Sequence, residues 1–109
     1  MATLFKNKVV KNIGKVPITA ISTDASTRST IVGIVVSNLT SDMVKISLIV
    51  GDDTSVKGFY LKDVVIPTNA TLKVLGAGDK LILAPENTLE IKADEDDACD
   101  AVISYVDIV

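Results

Sequence analysis

The densest chemistry in this 109-residue chain is a run of carboxylates near its C-terminal end: Asp94, Glu95, Asp96 and Asp97, followed by Asp100. Converging carboxylates are what a hard cation such as calcium requires. The order of these residues departs from a calcium loop, which alternates its acids, turns at a central Gly and closes with a Glu. A solvated turn that keeps the chain soluble is the plainer expectation. A second candidate is Gly76-Ala77-Gly78-Asp79-Lys80, two glycines and a lysine that loosely match a phosphate-cradling loop. It lacks the P-loop spacing and the Ser or Thr that follows, and no helical pattern comes after it to point a dipole at a phosphate. A Gly-enabled hairpin turn is expected there. The third is Cys99, the one cysteine. Acidic neighbours raise a thiol pKa, the wrong direction for a nucleophile. Cys99 therefore reads as a small buried apolar side chain.

Absences exclude more than these candidates suggest. There is no His, so there is no Ser-His-Asp triad, Cys-His dyad or His metal ligand. One Cys cannot make an internal disulfide or a Cys-cluster zinc site, and it agrees with a reducing compartment. Ser and Lys are plentiful, but no motif sets a Ser-Lys pair together. The chain is not expected to be an enzyme, and no catalytic, cofactor-binding or metal-ligating residue is assigned. Phe59, Tyr60 and Tyr105 lie within apparent strands and read as core packing. That argues against an aromatic platform for bases or sugars. Asn38-Leu39-Thr40 and Asn69-Ala70-Thr71 match the N-glycosylation pattern by chance, since no apolar leader precedes them. The same lack of a leader gives an expectation of synthesis in a cytoplasm. No apolar run approaches the roughly 20 residues of a membrane helix.

The net charge of −3 hides an uneven distribution. Lys6, Lys8, Lys11, Lys15 and Arg28 against Asp24 make the first 28 residues basic, and the last 16 residues carry six acids and no base. The two segments can attract between copies, meet within one copy, or sit apart in water. The sequence pI of about 4.7 and the scattered lysines argue against a nucleic-acid partner.

The elements that must position these residues are strands. Val, Ile and Thr supply 37 of the 109 residues, the types that fit a pleated, half-buried sheet. Val16 to Ile21 reads as a short strand with Pro17 at its start or on a sheet edge. Residues 22–29 read as a polar loop. Thr30 to Ser37 reads as a strand buried on both faces, and Met43 to Val50 alternates as a strand buried on one; the two are expected to pair as a hairpin. Residues 56–66 form a strand with a bulge near Lys62-Asp63. Short strands follow at Thr71 to Leu75, Leu81 to Leu83 and Leu89 to Ala93. Cys99 to Val109 is the last, with Val102, Val106 and Ile108 around Ser104 on one face. No helical period is present. The expectation is an all-β, mainly antiparallel β-sandwich, jelly-roll or immunoglobulin-like, with an extended N-terminal arm. Residues 1–28 would be the arm and an edge strand, and residues 29–109 the sandwich.

From about residue 30 onward the chain resembles small β-rich virion accessory proteins of tailed bacteriophages. The resemblance is carried by the order of four pieces. They are Thr-Ile-Val-Gly-Ile-Val-Val-Ser-Asn (30–38), Phe-Tyr-Leu-Lys-Asp-Val-Val-Ile-Pro-Thr-Asn-Ala-Thr-Leu (59–72), Leu-Ile-Leu-Ala-Pro-Glu-Asn-Thr-Leu-Glu-Ile-Lys-Ala (81–93) and Asp-Ala-Val-Ile-Ser-Tyr-Val-Asp-Ile (100–108). A Gly-containing turn usual in that family is replaced here by Pro85-Glu86-Asn87. The resemblance implies a virion structural protein with no catalytic residues, most simply a capsid decoration or cement protein. Tail, neck, baseplate or fibre-attachment parts are alternatives, as is a module for host-surface glycans. The implied partners are a major capsid or tail protein and further copies of the chain, with no cofactor, nucleic acid or membrane. Lys6, Lys8, Lys11, Lys15, Pro17 and Arg28 are the expected partner-facing residues, on an arm laid against a neighbour.

Overall fold

The computed structural model describes residues 2–75 and 78–109. Nine strands run in chain order: β1 (Thr3–Ile13), β2 (Ile18–Ser22), β3 (Arg28–Asn38), β4 (Val44–Gly51), β5 (Lys57–Ile66), β6 (Thr71–Leu75), β7 (Leu81–Leu83), β8 (Thr88–Ala93) and β9 (Cys99–Ile108). No helix forms among the described residues. One sheet has the order β1-β9-β3-β6, with β7 also on β3; the other has the order β2-β8-β4-β5. Every pairing is antiparallel.

β6 and β7 both pair with β3, at Ile34–Ser37 and at Ser29–Ile31 respectively. They therefore run in the same direction and form one interrupted strand. β6 and β7 do not pair with each other as a hairpin, and the turn expected at 76–79 includes Gly76 and Ala77, which lie outside the described residues. Counted this way, eight strands fill two four-stranded sheets, and most neighbours in a sheet are distant in sequence. This is the connectivity of a jelly roll, which decides between the two expected sandwich types.

Period-two alternation builds the core. Val44, Ile46 and Leu48 of β4, Leu89 and Ile91 of β8, Ile31, Ile34 and Val36 of β3, and Ala101 and Ile103 of β9 all point inward and are buried. Branched aliphatic side chains suit this role, because β-branching favours the pleated backbone and stiff rotamers fill the narrow space between sheets. The outer face of β3 is only half-buried, with Val32 exposed. The strand was expected to be covered on both sides, since its unbroken apolar run carries no alternation to read.

Two further expectations fail for one topological reason. β3 and β4 do not form a hairpin; the chain between them crosses from one sheet to the other. The first 28 residues are not an arm beside the sandwich. β1 pairs along β9 from Thr3↔Ile108 to Ile13↔Cys99, and β2 pairs with β8. Val10 and Ile13 are part of the core. Each sheet thus takes one edge strand from the N-terminal segment, so the domain starts with β1. Pro17 does sit just before an edge strand, as its missing N–H requires. The bulge at Lys62-Asp63 is also present: Ile46 pairs with Val64 and Leu48 with Leu61, and Asp63 has φ 50°.

Asn38 ties the crossing together. It is 3% exposed. Its side-chain nitrogen donates to the carbonyls of Asp42 (2.8 Å), Ile66 (3.1 Å) and Pro67 (3.1 Å). Its side-chain oxygen accepts from the backbone N–H and the hydroxyl of Thr40, both at 2.8 Å. Its own backbone N–H donates to Ala70. The residue that matches a glycosylation pattern is therefore a buried structural clamp.

Candidate interaction surfaces

The carboxylate run spans the loop between β8 and β9 and the start of β9, and three of its members serve the backbone. Asp94 accepts from the N–H of Lys45 (2.9 Å), Asp96 from that of Lys15 (3.4 Å) and Asp100 from that of Asn12 (3.1 Å). No group of three or more His, Cys, Asp or Glu side chains converges as a metal site would, among the described residues. Two other carboxylates hold turns at the opposite end of the molecule. Hydrogen bonds from the Thr54 hydroxyl, then from the Thr54 and Val56 N–H groups, pull Asp52 below the ordinary carboxylate range. Asp24 is lowered in the same way by Thr27 and Ser26. Cys99 is fully buried, and its thiol is pushed up to about 11, first by burial and then by Asp100 and Asp94.

The basic N-terminal and acidic C-terminal segments meet within one copy. They are the adjacent strands β1 and β9, and Lys6 Nζ lies 3.1 Å from Asp107 Oδ2. Asp107 is buried and also accepts from the hydroxyl of buried Ser29. Lys6 and Lys8 face a groove of about 480 Å³ between the ends of β1 and β2, whose walls include Tyr105, Thr23 and Asp107. The other expected partner residues do not gather into one site. Lys11 is exposed late in β1, Lys15 and Pro17 are exposed in the β1–β2 turn, and Arg28 opens β3. Lysine on a long edge strand also discourages unwanted edge-to-edge pairing. This gives the β1 lysines a role that needs no partner.

The outer faces of the two sheets differ. That of β2-β8-β4-β5 is charged, with Lys45, Lys92 and a Lys57–Glu90 ion pair of 2.7 Å. Lys57 passes over Gly51, where a Cβ would stand 2.7 Å from the Thr88 hydroxyl and 3.4 Å from Lys57 Cγ. The outer face of β1-β9-β3-β6/β7 is apolar. Val9, Val102 and Val35 form one cross-strand row; Phe5, Val106, Thr30 and Ile82 form another. Phe5 is 83% exposed, Ile82 66% and Val9 58%. Scattered exposed apolar residues are ordinary, whereas a contiguous patch marks an interaction surface.

Val102, Val106 and Ile108 share one face of β9 around Ser104, and alternation alone does not say which way that face turns. It turns outward. The aromatics depart from expectation as well. Phe59 and Tyr60 are exposed on the edge strand β5, with Lys62 Nζ 5.2 Å from the Phe59 ring, and Tyr105 alone of the three packs against the core.

A scan against protein-family models gives no match, and neither does a search of curated proteins. Solved structures do share the fold. One is a chain of the T13 particle of infectious bursal disease virus, with a TM-score of 0.59 at 10% identity over 96% of this chain. This chain spans 30% of the viral chain's length. Another forms Bacillus endospore appendages, described as disulfide-linked pili; it has a TM-score of 0.59 at 6% identity, covering 98% of this chain and 88% of the other. At such identities the likeness is one of fold.

Proposed function

We propose that this chain is a non-enzymatic structural subunit of a virus particle, a capsid decoration or cement protein of a tailed bacteriophage. It acts by protein–protein contact, with the major capsid protein and further copies of itself as partners. The observation that carries this reading is the contrast between interior and surface. The interior is closed: no buried side-chain polar atom lacks a partner among the described residues. Among the described residues no three His, Cys, Asp or Glu side chains converge, and the surface presents one broad apolar sheet face. A rigid module with an adhesive face and no chemistry fits a particle accessory, and jelly rolls are common in viral shells. Of the basic residues, Lys8, Lys11, Lys15 and Arg28 form no ion pair among the described residues, so their charge remains open to a partner. Lys6 is engaged by Asp107.

A second reading keeps the module and changes its place, to a tail, neck, baseplate or fibre part. The fold likeness to a pilus-forming chain over nearly its whole length favours it. Quantitative mass spectrometry of purified particles separates the two. A cement protein occurs at a copy number comparable to that of the major capsid protein, and a tail-tip part occurs in few copies. Absence from washed particles would overturn both.

A further inference from the structure

The outer face of β1-β9-β3-β6/β7 has a charge pattern that selects its occupant. Within this face the rows run Thr3–Ile108–Arg28, Phe5–Val106–Thr30–Ile82, Asn7–Ser104–Gly33, Val9–Val102–Val35–Lys73 and, last, Asp100–Ser37–Thr71. Arg28 marks one end and Asp100 the other, and Lys73 stands at the β6 margin. Between them the rows are apolar or neutral. Ser104 lies midway along β9, four residues from Asp100 and four from Ile108.

We infer that this face binds the same face of a second copy about a two-fold axis that crosses the strands at Ser104. The symmetry follows from the rows. Such an axis brings the Val102 row against the Val106 row of the other copy, so Val9 meets Phe5 and Val102 meets Val106. It also sets each copy's Arg28 against the end of the face where the other copy carries Asp100. A two-fold axis along the strands would instead lay each row on itself, with Arg28 near Arg28 and Asp100 near Asp100. Charge thus favours the antiparallel arrangement. A two-fold contact is self-complementary, so the Arg28 end of each copy is met by the Asp100 end of the other.

The size of the face sets the strength. Eight residue steps at about 3.3 Å and four strands at about 4.8 Å give roughly 500 Å² per copy, about 1,000 Å² in all. That is the lower limit for a specific interface. The pairing is therefore weak in isolation and gains from repetition on a particle. This inference deepens the proposed subunit role by naming the contact between copies. Self-association can hold even if the chain is absent from particles, so each claim can fail alone.

The test is sedimentation of the purified full-length chain across a concentration series. A reversible dimer is expected, half-formed at roughly 10–100 µM. Val102→Lys should shift the midpoint upward at least tenfold with an unchanged melting temperature, since Val102 is already 40% exposed. Arg28→Glu should weaken association several-fold at low salt. Ser104→Cys should give an oxidised dimer in good yield, and Lys92→Cys on the other outer face should not. A chain that stays monomeric to about 1 mM would overturn the inference, as would a Val102→Lys variant that associates like the parent. An Arg28→Glu variant that associates more tightly would overturn the antiparallel axis.

Discussion

Replacing Asn38 with Ala should damage the fold more than any other single polar deletion. The side chain donates to three carbonyls and accepts from two groups of Thr40, all at 2.8–3.1 Å. The Asp42 carbonyl and the Thr40 hydroxyl lie where water can replace the lost partner. The Ile66 carbonyl is buried along with Asn38, so its loss is uncompensated. One buried unsatisfied group costs about 1–3 kcal/mol, and the remaining bonds add about 1 kcal/mol. The expected destabilisation is therefore about 2–4 kcal/mol. With an unfolding entropy near 2.1 cal/mol/K per residue, this lowers the melting temperature by about 9–17 °C. Scanning calorimetry with a parallel urea titration is the assay; the urea midpoint should fall with the slope unchanged. Asn38→Asp is the informative companion. It keeps the acceptor for Thr40 but sets a carboxylate oxygen, an acceptor, against three carbonyl oxygens in place of the donating amide, and it should be at least as harmful. An Ala variant that melts within about 3 °C of the parent would refute the clamp reasoning.

Other consequences follow from the same geometry. Deleting residues 1–13 should abolish folding, since it removes β1, exposes the β9 edge and takes Val10 and Ile13 from the core; a truncated chain with native circular dichroism would contradict the placement of β1. Gly14→Ala should cost about 1–3 kcal/mol, because the new Cβ would lie 3.2 Å from the Asp96 Cα and the backbone there cannot step aside; urea unfolding measures it. Cys99 should resist a thiol reagent at pH 8 in the folded protein and react at once in denaturant. Its folded pKa lies above the unfolded one, so its contribution to stability is present below the ordinary thiol pKa and fades as pH rises toward about 11; stability measured at pH 8 and pH 10 should show the fall.

The sequence made the strands legible and left the sheets hidden. Alternation in Val44, Ile46 and Leu48, or in Leu89, Ile91 and Ala93, states directly that one side is buried. It does not say against which strand. Adjacent strands such as β3 and β4 look like a hairpin because local turn chemistry at 38–42 is all that a sequence shows. The jelly-roll crossover depends on Asn38 reaching Ile66 and Pro67, contacts 28 and 29 residues away. The lysine-rich start looked like an arm because residues 3–9 are exposed on both faces, as an overhanging edge strand allows. The charge asymmetry left three arrangements open, between copies, within one copy or apart in water, and the Lys6–Asp107 pair across β1 and β9 places the two segments together within one copy. The turn at Pro85-Glu86-Asn87 contains no glycine, yet Glu86 adopts φ 59°, the backbone state that glycine accepts most readily. The apolar outer face carried no sequence signal, because Val102, Val106 and Ile108 alternate just as a buried row does.

The central claim is that this jelly roll is a passive building block of a particle. The most direct measurement is a cryo-electron microscopy map of that particle at side-chain resolution. The account predicts density for the two four-stranded sheets at symmetry-related positions, with the Phe5–Val106–Ile82 face covered by protein. Particles that lack such density, or that hold the chain with this face bare to solvent at every position, would contradict it.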